Sequence, residues 1–246
     1  SEMCIRDSYR AYEESAGNDH FNWPRCLLNV YKYLCFSGIL SIMTKAVRAL
    51  ALEELRKRKS AKWRHYPSDV LPLPVAEMDF PTAPAIKAGL KDMLDRSDTG
   101  YLGEFPELFE AFAKFSKSRW NWQPDTSQIR VATDVGVGIV EVMRTLIKAG
   151  DKVMLNSPVY ENIWKWIAEV HAELVDVPLT ENELNYKLDL EAIEREYAKG
   201  VKVHILCSPH NPVGIIYTRS ELEAIATLAK KYGVIVISDE IHGPLT

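Results

Sequence analysis

The chain has 246 residues, 47% of them hydrophobic and 26% charged, with a net charge of −4, the composition of a globular protein with one sizeable core or with a large domain and an appendage. The slight acid excess excludes a surface built for nucleic acid or anionic lipid, because either needs clustered basic charge. Cys4, Cys26, Cys35 and Cys207 show neither metal-ligand spacing nor a secreted disulfide framework, so a reducing cytoplasm is expected and a metal site is not.

Residues 1–45 read differently from the rest. Their apolar run, Leu27 to Met43, is broken by Lys32 and follows a polar, aromatic-rich stretch without the basic start and small-residue cleavage site of a signal peptide. A membrane span needs about 20 largely uncharged apolar residues, so this segment is expected to be a poorly ordered extension or a stretch foreign to the domain. Ala51 to Arg58 carries a charged helical pattern, and a proline-rich extended arm follows from Tyr66 to Pro84. Ala85 to Arg96 and Glu107 to Ser118 have apolar residues at helical spacing, on either side of a loop marked by Gly100 and Gly103. Residues 46–128 therefore read as an N-terminal arm with helices.

From residue 129 to 246, short β-branched runs alternate with helical segments. Strands are predicted at Ile129–Ala132, Lys152–Asn156, Glu173–Val177, Lys202–Cys207 and Val234–Ser238, and helices at Gly138–Ile147, Tyr160–Val170, Leu190–Ala198 and Ser220–Tyr232. Such alternation predicts an α/β domain, a mostly parallel sheet with helices on both faces. Ligands of these sheets bind at the carboxyl ends of the strands, which directs attention to the residue after each strand.

Thr133-Asp134-Val135-Gly136-Val137-Gly138 follows the first strand and leads into a helix. The unpaired N–H groups of a helix start suit an anion, although two glycines also make an ordinary tight turn. A dinucleotide fingerprint is disfavoured, because Glu141 stands where its third glycine belongs and the next strand ends in Asn156-Ser157 without an acid. After that strand, Ser157-Pro158-Val159-Tyr160 puts a ring on the same rim, able to cover a flat heterocycle or simply half-buried. In Cys207-Ser208-Pro209-His210-Asn211-Pro212-Val213-Gly214 two prolines fix the backbone around Asn211, so its amide can face a ligand oxygen. The last strand ends in Ser238-Asp239-Glu240-Ile241-His242. An acid there is costly to bury without a cation or strong donor opposite it, and a protonated pyridine nitrogen is a fitting partner.

Together these segments resemble the fold type I pyridoxal 5′-phosphate enzymes, and more closely the cystathionine β-lyase-like branch related to aminotransferase classes I and II. The resemblance covers residues 50–246 and is most specific at Val75-Ala76-Glu77-Met78-Asp79-Phe80, Asp98-Thr99-Gly100-Tyr101, Ser208 to Gly214, and Ser238 to His242. It implies that Asp239 keeps the pyridine nitrogen protonated, Asn211 bonds the phenolic oxygen, Tyr160 stacks on the ring, and the N–H groups of Val135 and Gly136 cradle the phosphate. His242 is assigned to the same cofactor site. Tyr101 matches a tyrosine that reaches the phosphate of a neighbouring subunit, which implies a homodimer.

Two departures stand out. Pro74 replaces the tryptophan usual before the Val75–Phe80 motif, and the Schiff-base lysine of the family, like its substrate-carboxylate arginine, would lie beyond Thr246. The expected function is thus that of a fragment of a cysteine-S-conjugate or cystathionine β-lyase, inactive by itself, which releases thiol, pyruvate and ammonia when complete. The Glu77-Met78-Asp79-Phe80 arm favours this over an aminotransferase of the same fold. A non-catalytic binding or regulatory protein is the alternative from a different class.

Overall fold

The computed structural model describes residues 47–73, 76–101, 103–183 and 185–246; the expected 1–45 extension, Pro74 and Val75 lie outside them. Two compact units divide the chain, Ser1–Tyr101 and Leu102–Thr246.

In the first unit the charged pattern at 51–58 forms only a single turn, α1 (Leu52–Leu55), followed by a second, α2 (Ala61–Arg64). The helix stops because the basic residues beyond it hold the arm. The Arg58 guanidinium donates to the carbonyls of Met78 at 2.8 Å and Phe80 at 3.1 Å, and Lys62, almost fully buried, pairs with Asp79 at 3.0 Å. Ser60 Oγ donates to the Glu77 carboxylate at 2.9 Å. Glu77 and Asp79 are therefore tied into the arm's own packing. Helix α3 (Pro84–Asp95) begins with proline at its first turn, where no N–H is needed.

In the second unit α4 (Pro106–Trp120) ends at Asn121, whose φ of 53° supplies the left-handed cap that stops a helix. The strand expected at Ile129–Ala132 is not one. This segment is extended but pairs with no strand among the described residues, and Val131 is 52% exposed. β-branched residues favour a pleated, half-buried surface, and here no neighbouring strand supplies it.

The sheet is built from β1 (Lys152–Leu155), β2 (Glu173–Asp176), β5 (Val201–Cys207) and β6 (Ile235–Asp239), in the order β2-β1-β5-β6 with every pairing parallel. A short antiparallel hairpin, β3 (Thr180–Asn182) and β4 (Asn185–Lys187), was not expected from the sequence. Alternating side chains face opposite sides. Val153, Leu155, Val203 and Ile205 pack with α5 (Val135–Leu146) and α6 (Asn162–Glu169) on one side. Met154 and Leu206 pack with α7 (Leu190–Ala198) and α8 (Arg219–Tyr232) on the other. The expected mostly parallel sheet with helices on both faces is thus present. Among the described residues no helix is long and apolar enough to cross a membrane.

Helix starts show their sequence causes directly. Thr218 and Glu221 form a reciprocal capping box at α8, and Asp189 accepts from Ala192 N–H at α7. Helix α5 begins three residues earlier than its apolar spacing suggests, because Asp134 accepts from Val137 N–H at 2.9 Å and draws Val135 and Gly136 into the first turn.

Gly136 is also pressed against α6: a Cβ placed there would stand 2.7 Å from the Trp166 indole nitrogen, whereas one at Gly138 would meet only the Ala132 methyl at 3.5 Å. Gly136→Ala is therefore expected to destabilise the protein by about 1–3 kcal/mol through overpacking. Gly138→Ala, freed of glycine's helix penalty, should be neutral or stabilising by up to about 1 kcal/mol. Urea unfolding midpoints of the two variants check the contrast.

Candidate active site

Because β1, β5 and β6 run in the same direction, their last residues share one rim. Asp239 closes β6 opposite Cys207 at the end of β5, and Ser208 N–H donates to the Asp239 carbonyl at 3.0 Å. The Asp239 side chain is 5% exposed. Its carboxylate accepts from Ile241 N–H at 3.2 Å and has no cationic partner among the described residues.

The chain then turns through Asn211. His210 N–H donates to the Ile215 carbonyl at 2.9 Å and Gly214 N–H to the His210 carbonyl at 2.8 Å, closing a tight loop. Gly214 sits there at φ 72°, a left-handed position that favours glycine. Asn211 N–H lies 3.5 Å from Cys207 Sγ, while its side-chain amide meets no partner among the described residues. Burial pushes the Cys207 thiol up, which keeps it a neutral, inert neighbour of Asp239.

Tyr160 follows β1 and is partly exposed, with its ring edge-on to Trp166 at 5.9 Å between centroids. Trp166 in turn abuts Gly136, so one indole braces both the ring and the start of α5. Sequence reasoning missed Trp166, because its contact with Gly136 joins segments far apart in the chain and no local spacing marks it. The N–H groups of Val135 and Gly136 meet no acceptor among the described residues, since Asp134 takes those of Val137 and Gly138. Gly136 is required by the indole, a reason different from the close anion approach read in the sequence.

His242 is half-buried at the start of a short 3₁₀ turn, Gly243–Leu245, three residues from Asp239. Tyr101 ends the first unit with its side chain fully exposed. The ends of β1, β5 and β6 thus put Asp239 and the loops of Asn211 and Tyr160 on one rim, while Val135 and Gly136 begin α5 beside Trp166.

Two imidazoles stand behind this rim. His204, fully buried in β5, has Tyr197 Oη 2.6 Å from Nδ1 and Asn156 Oδ1 2.7 Å from Nε2. Asn156 Nδ2 donates to the Val177 carbonyl at 2.9 Å, which fixes its oxygen towards His204. His204 must therefore donate from Nε2 and accept the Tyr197 hydroxyl at Nδ1. Burial lowers its pKa to about 3 and lowers that of His210 as well. A polar residue inside the apolar run Val203–Cys207 was the available clue, but its partner Asn156 is distant in sequence.

The rim fits pyridoxal 5′-phosphate on its own chemistry. A buried carboxylate without a cation is costly, and the N–H of a pyridinium ring relieves that cost; the Asn211 amide and the first two N–H groups of α5 also meet no partner among the described residues. A parallel α/β domain with these strand-end groups belongs to the class that holds this cofactor. Residues 68–246 match the family Aminotransferase class I and II, and the chain belongs to that family. A Mycobacterium tuberculosis (strain CDC 1551 / Oshkosh) protein that bears the name cystathionine beta-lyase provisionally is 39% identical over 80% of this chain and 50% of its own. Cystathionine beta-lyase of Corynebacterium glutamicum is 31% identical over 79% of this chain and 51% of its own. Cystalysin from Treponema denticola, whose crystal structure contains a pyridoxal 5′-phosphate cofactor, superposes with a TM-score of 0.72 at 30% identity, over 79% of this chain and 51% of that one. The chain spans about half the length of the curated relatives it matches.

The buried imidazoles make stability depend on pH. Unfolded chains take up protons as the pH falls through 6.5, while folded His204 stays neutral down to about 3, so the unfolded state binds more protons and stability falls on acidification. Between pH 6 and 4 His204 should contribute a slope of about 1 kcal/mol per pH unit, and His210 acts in the same direction. Denaturant melts across this range check the slope, and His204→Gln should flatten it by roughly one proton.

Proposed function

We propose that the protein is a cytoplasmic, homodimeric carbon–sulfur β-lyase that acts on cystathionine or related cysteine S-conjugates, breaking the Cβ–S bond to give thiol, pyruvate and ammonia. The observation that carries this reading is the buried Asp239 carboxylate at the end of β6, which has no cation among the described residues. The lyase names of the relatives and the Glu77-Met78-Asp79-Phe80 arm support elimination over amino transfer.

When bound, the cofactor supplies a ring that accepts negative charge from the substrate's α-carbon. Asp239 holds a proton at the ring nitrogen and so favours that charge. Asn211 donates its amide to the phenolic oxygen, and Tyr160 covers the ring face. The N–H groups of Val135 and Gly136 bind the phosphate at the positive end of α5, with His242 in the same site. Tyr101 completes the phosphate contacts of a neighbouring subunit. The lysine that would accept the α-proton is not among these residues, so the 246-residue polypeptide by itself is expected to hold cofactor without turnover.

In the full-length protein Asp239→Asn is expected to cut pyruvate release from cystathionine by about a hundredfold or more, roughly 3 kcal/mol of barrier. Cofactor retention should persist through the phosphate, ring and amide contacts. Pyruvate assays beside the cofactor absorbance measure both. Near-normal release would remove Asp239 from the chemistry. Keto acid formed only with an added amino acceptor would instead establish an aminotransferase.

A further inference from the structure

The loops that carry Asn211 and Tyr160 follow different strands, yet one side chain joins them. His210 is 2% exposed, with Nε2 2.9 Å from the Pro158 carbonyl and Nδ1 2.7 Å from Tyr217 Oη. A carbonyl only accepts, so Nε2 carries the proton and Nδ1 accepts the Tyr217 hydroxyl. Both ring nitrogens are occupied by protein, which leaves His210 neither a lone pair nor a proton for a substrate.

The arrangement repeats the Tyr197–His204–Asn156 chain one step nearer the rim. His204 ties β5 to Asn156, just past β1, inside a sheet already held by strand pairing. His210 ties the following loop to Pro158, where strand pairing has ended. Among the described residues it is the one side-chain hydrogen bond between the two loops. The Asn211 turn is otherwise closed on itself, through His210 and Ile215.

We propose that His210 is a positioning residue: with its tautomer fixed by the Pro158 carbonyl and its ring oriented by the Tyr217 hydroxyl, it locks the Asn211 loop to the Tyr160 loop and holds the amide and the ring at a set separation for the cofactor. The proposal rests on the cofactor roles given above to Asn211 and Tyr160. Tyr217 acts one step further back. Without its hydroxyl the buried Nδ1 lacks a donor, and the ring is oriented by its bond to Pro158 alone.

The test uses the 246-residue chain with ¹⁵N-labelled histidine, and pyridoxal 5′-phosphate binding followed by tryptophan fluorescence. His210 should be the Nε2–H tautomer in the wild type and in Tyr217→Phe, because the Pro158 carbonyl accepts from Nε2 in both. Cofactor binding should weaken about tenfold in Tyr217→Phe and in His210→Leu, the scale of one lost hydrogen bond. His210→Gln, which restores a donor towards Pro158, should recover most of the loss, a rescue that bulk packing does not explain. If His210→Leu does not fold, Tyr217→Phe with His210→Gln makes the same comparison. An Nδ1–H tautomer in the wild type, or Tyr217→Phe binding as tightly as wild type, overturns the proposal. If the wild type takes up no cofactor, it is the cofactor reading that fails. The lock is then judged by the backbone amides of Asn211 and Val159: a joint shift in Tyr217→Phe supports it, and unmoved amides overturn it.

Discussion

Strand β5 is hydrogen-bonded to a parallel neighbour on each side, β1 and β6, and this pairing determines where the candidate ligand groups end up. Parallel strands cannot be joined by tight hairpins, so each connection crosses over through a helix and the helices cover both faces. The strand ends then gather on one rim. Asp239, the Asn211 loop and the Tyr160 loop meet there for that reason, although they come from three separate stretches of chain. Burial has a further consequence in β5: a polar side chain that faces the core there, as His204 does, must find its partner inside the protein.

The buried polar groups meet that demand unequally. His204 is bonded at both nitrogens, and Asn156 passes the chain on to Val177, so α7, β5, β1 and the end of β2 are linked by one oriented series of donors and acceptors. Such saturated groups specify the packing and have nothing left for a ligand. Among the described residues, Asp239 has a backbone N–H but no cation, the Asn211 amide has no partner, and the first two N–H groups of α5 meet no acceptor. The contrast between full and partial satisfaction separates the structural part of this rim from the part fit for a cofactor.

Much of the second unit was legible in the sequence because its signals are local. The runs around Val153, Val203 and Val236 are short, apolar and β-branched, and the helices between them keep their apolar spacing. Thr218 and Glu221 mark the start of α8 within four residues of chain. The same logic failed at Ile129–Ala132, where propensity was present and a neighbouring strand was not. It misplaced the start of α5, since apolar periodicity does not register a cap such as Asp134. The candidate site residues were legible through motif resemblance, and Asp239 also through the cost of burying an acid. Trp166 and the two histidine chains were not, because their meaning lies in contacts tens of residues apart, between side chains ordinary in composition.

The Asp134 cap bears on how a ligand would be received. Starting a helix is the unfavourable step in forming one, because several backbone torsions are fixed for the first hydrogen bond. In α5 that step is completed by the Asp134 carboxylate and by the indole packed on Gly136, both belonging to the protein. An arriving phosphate would meet two N–H groups already aimed and would not have to wind the turn that presents them. The ordering entropy of that turn falls within folding and is absent from the association step, so it takes nothing from the affinity there.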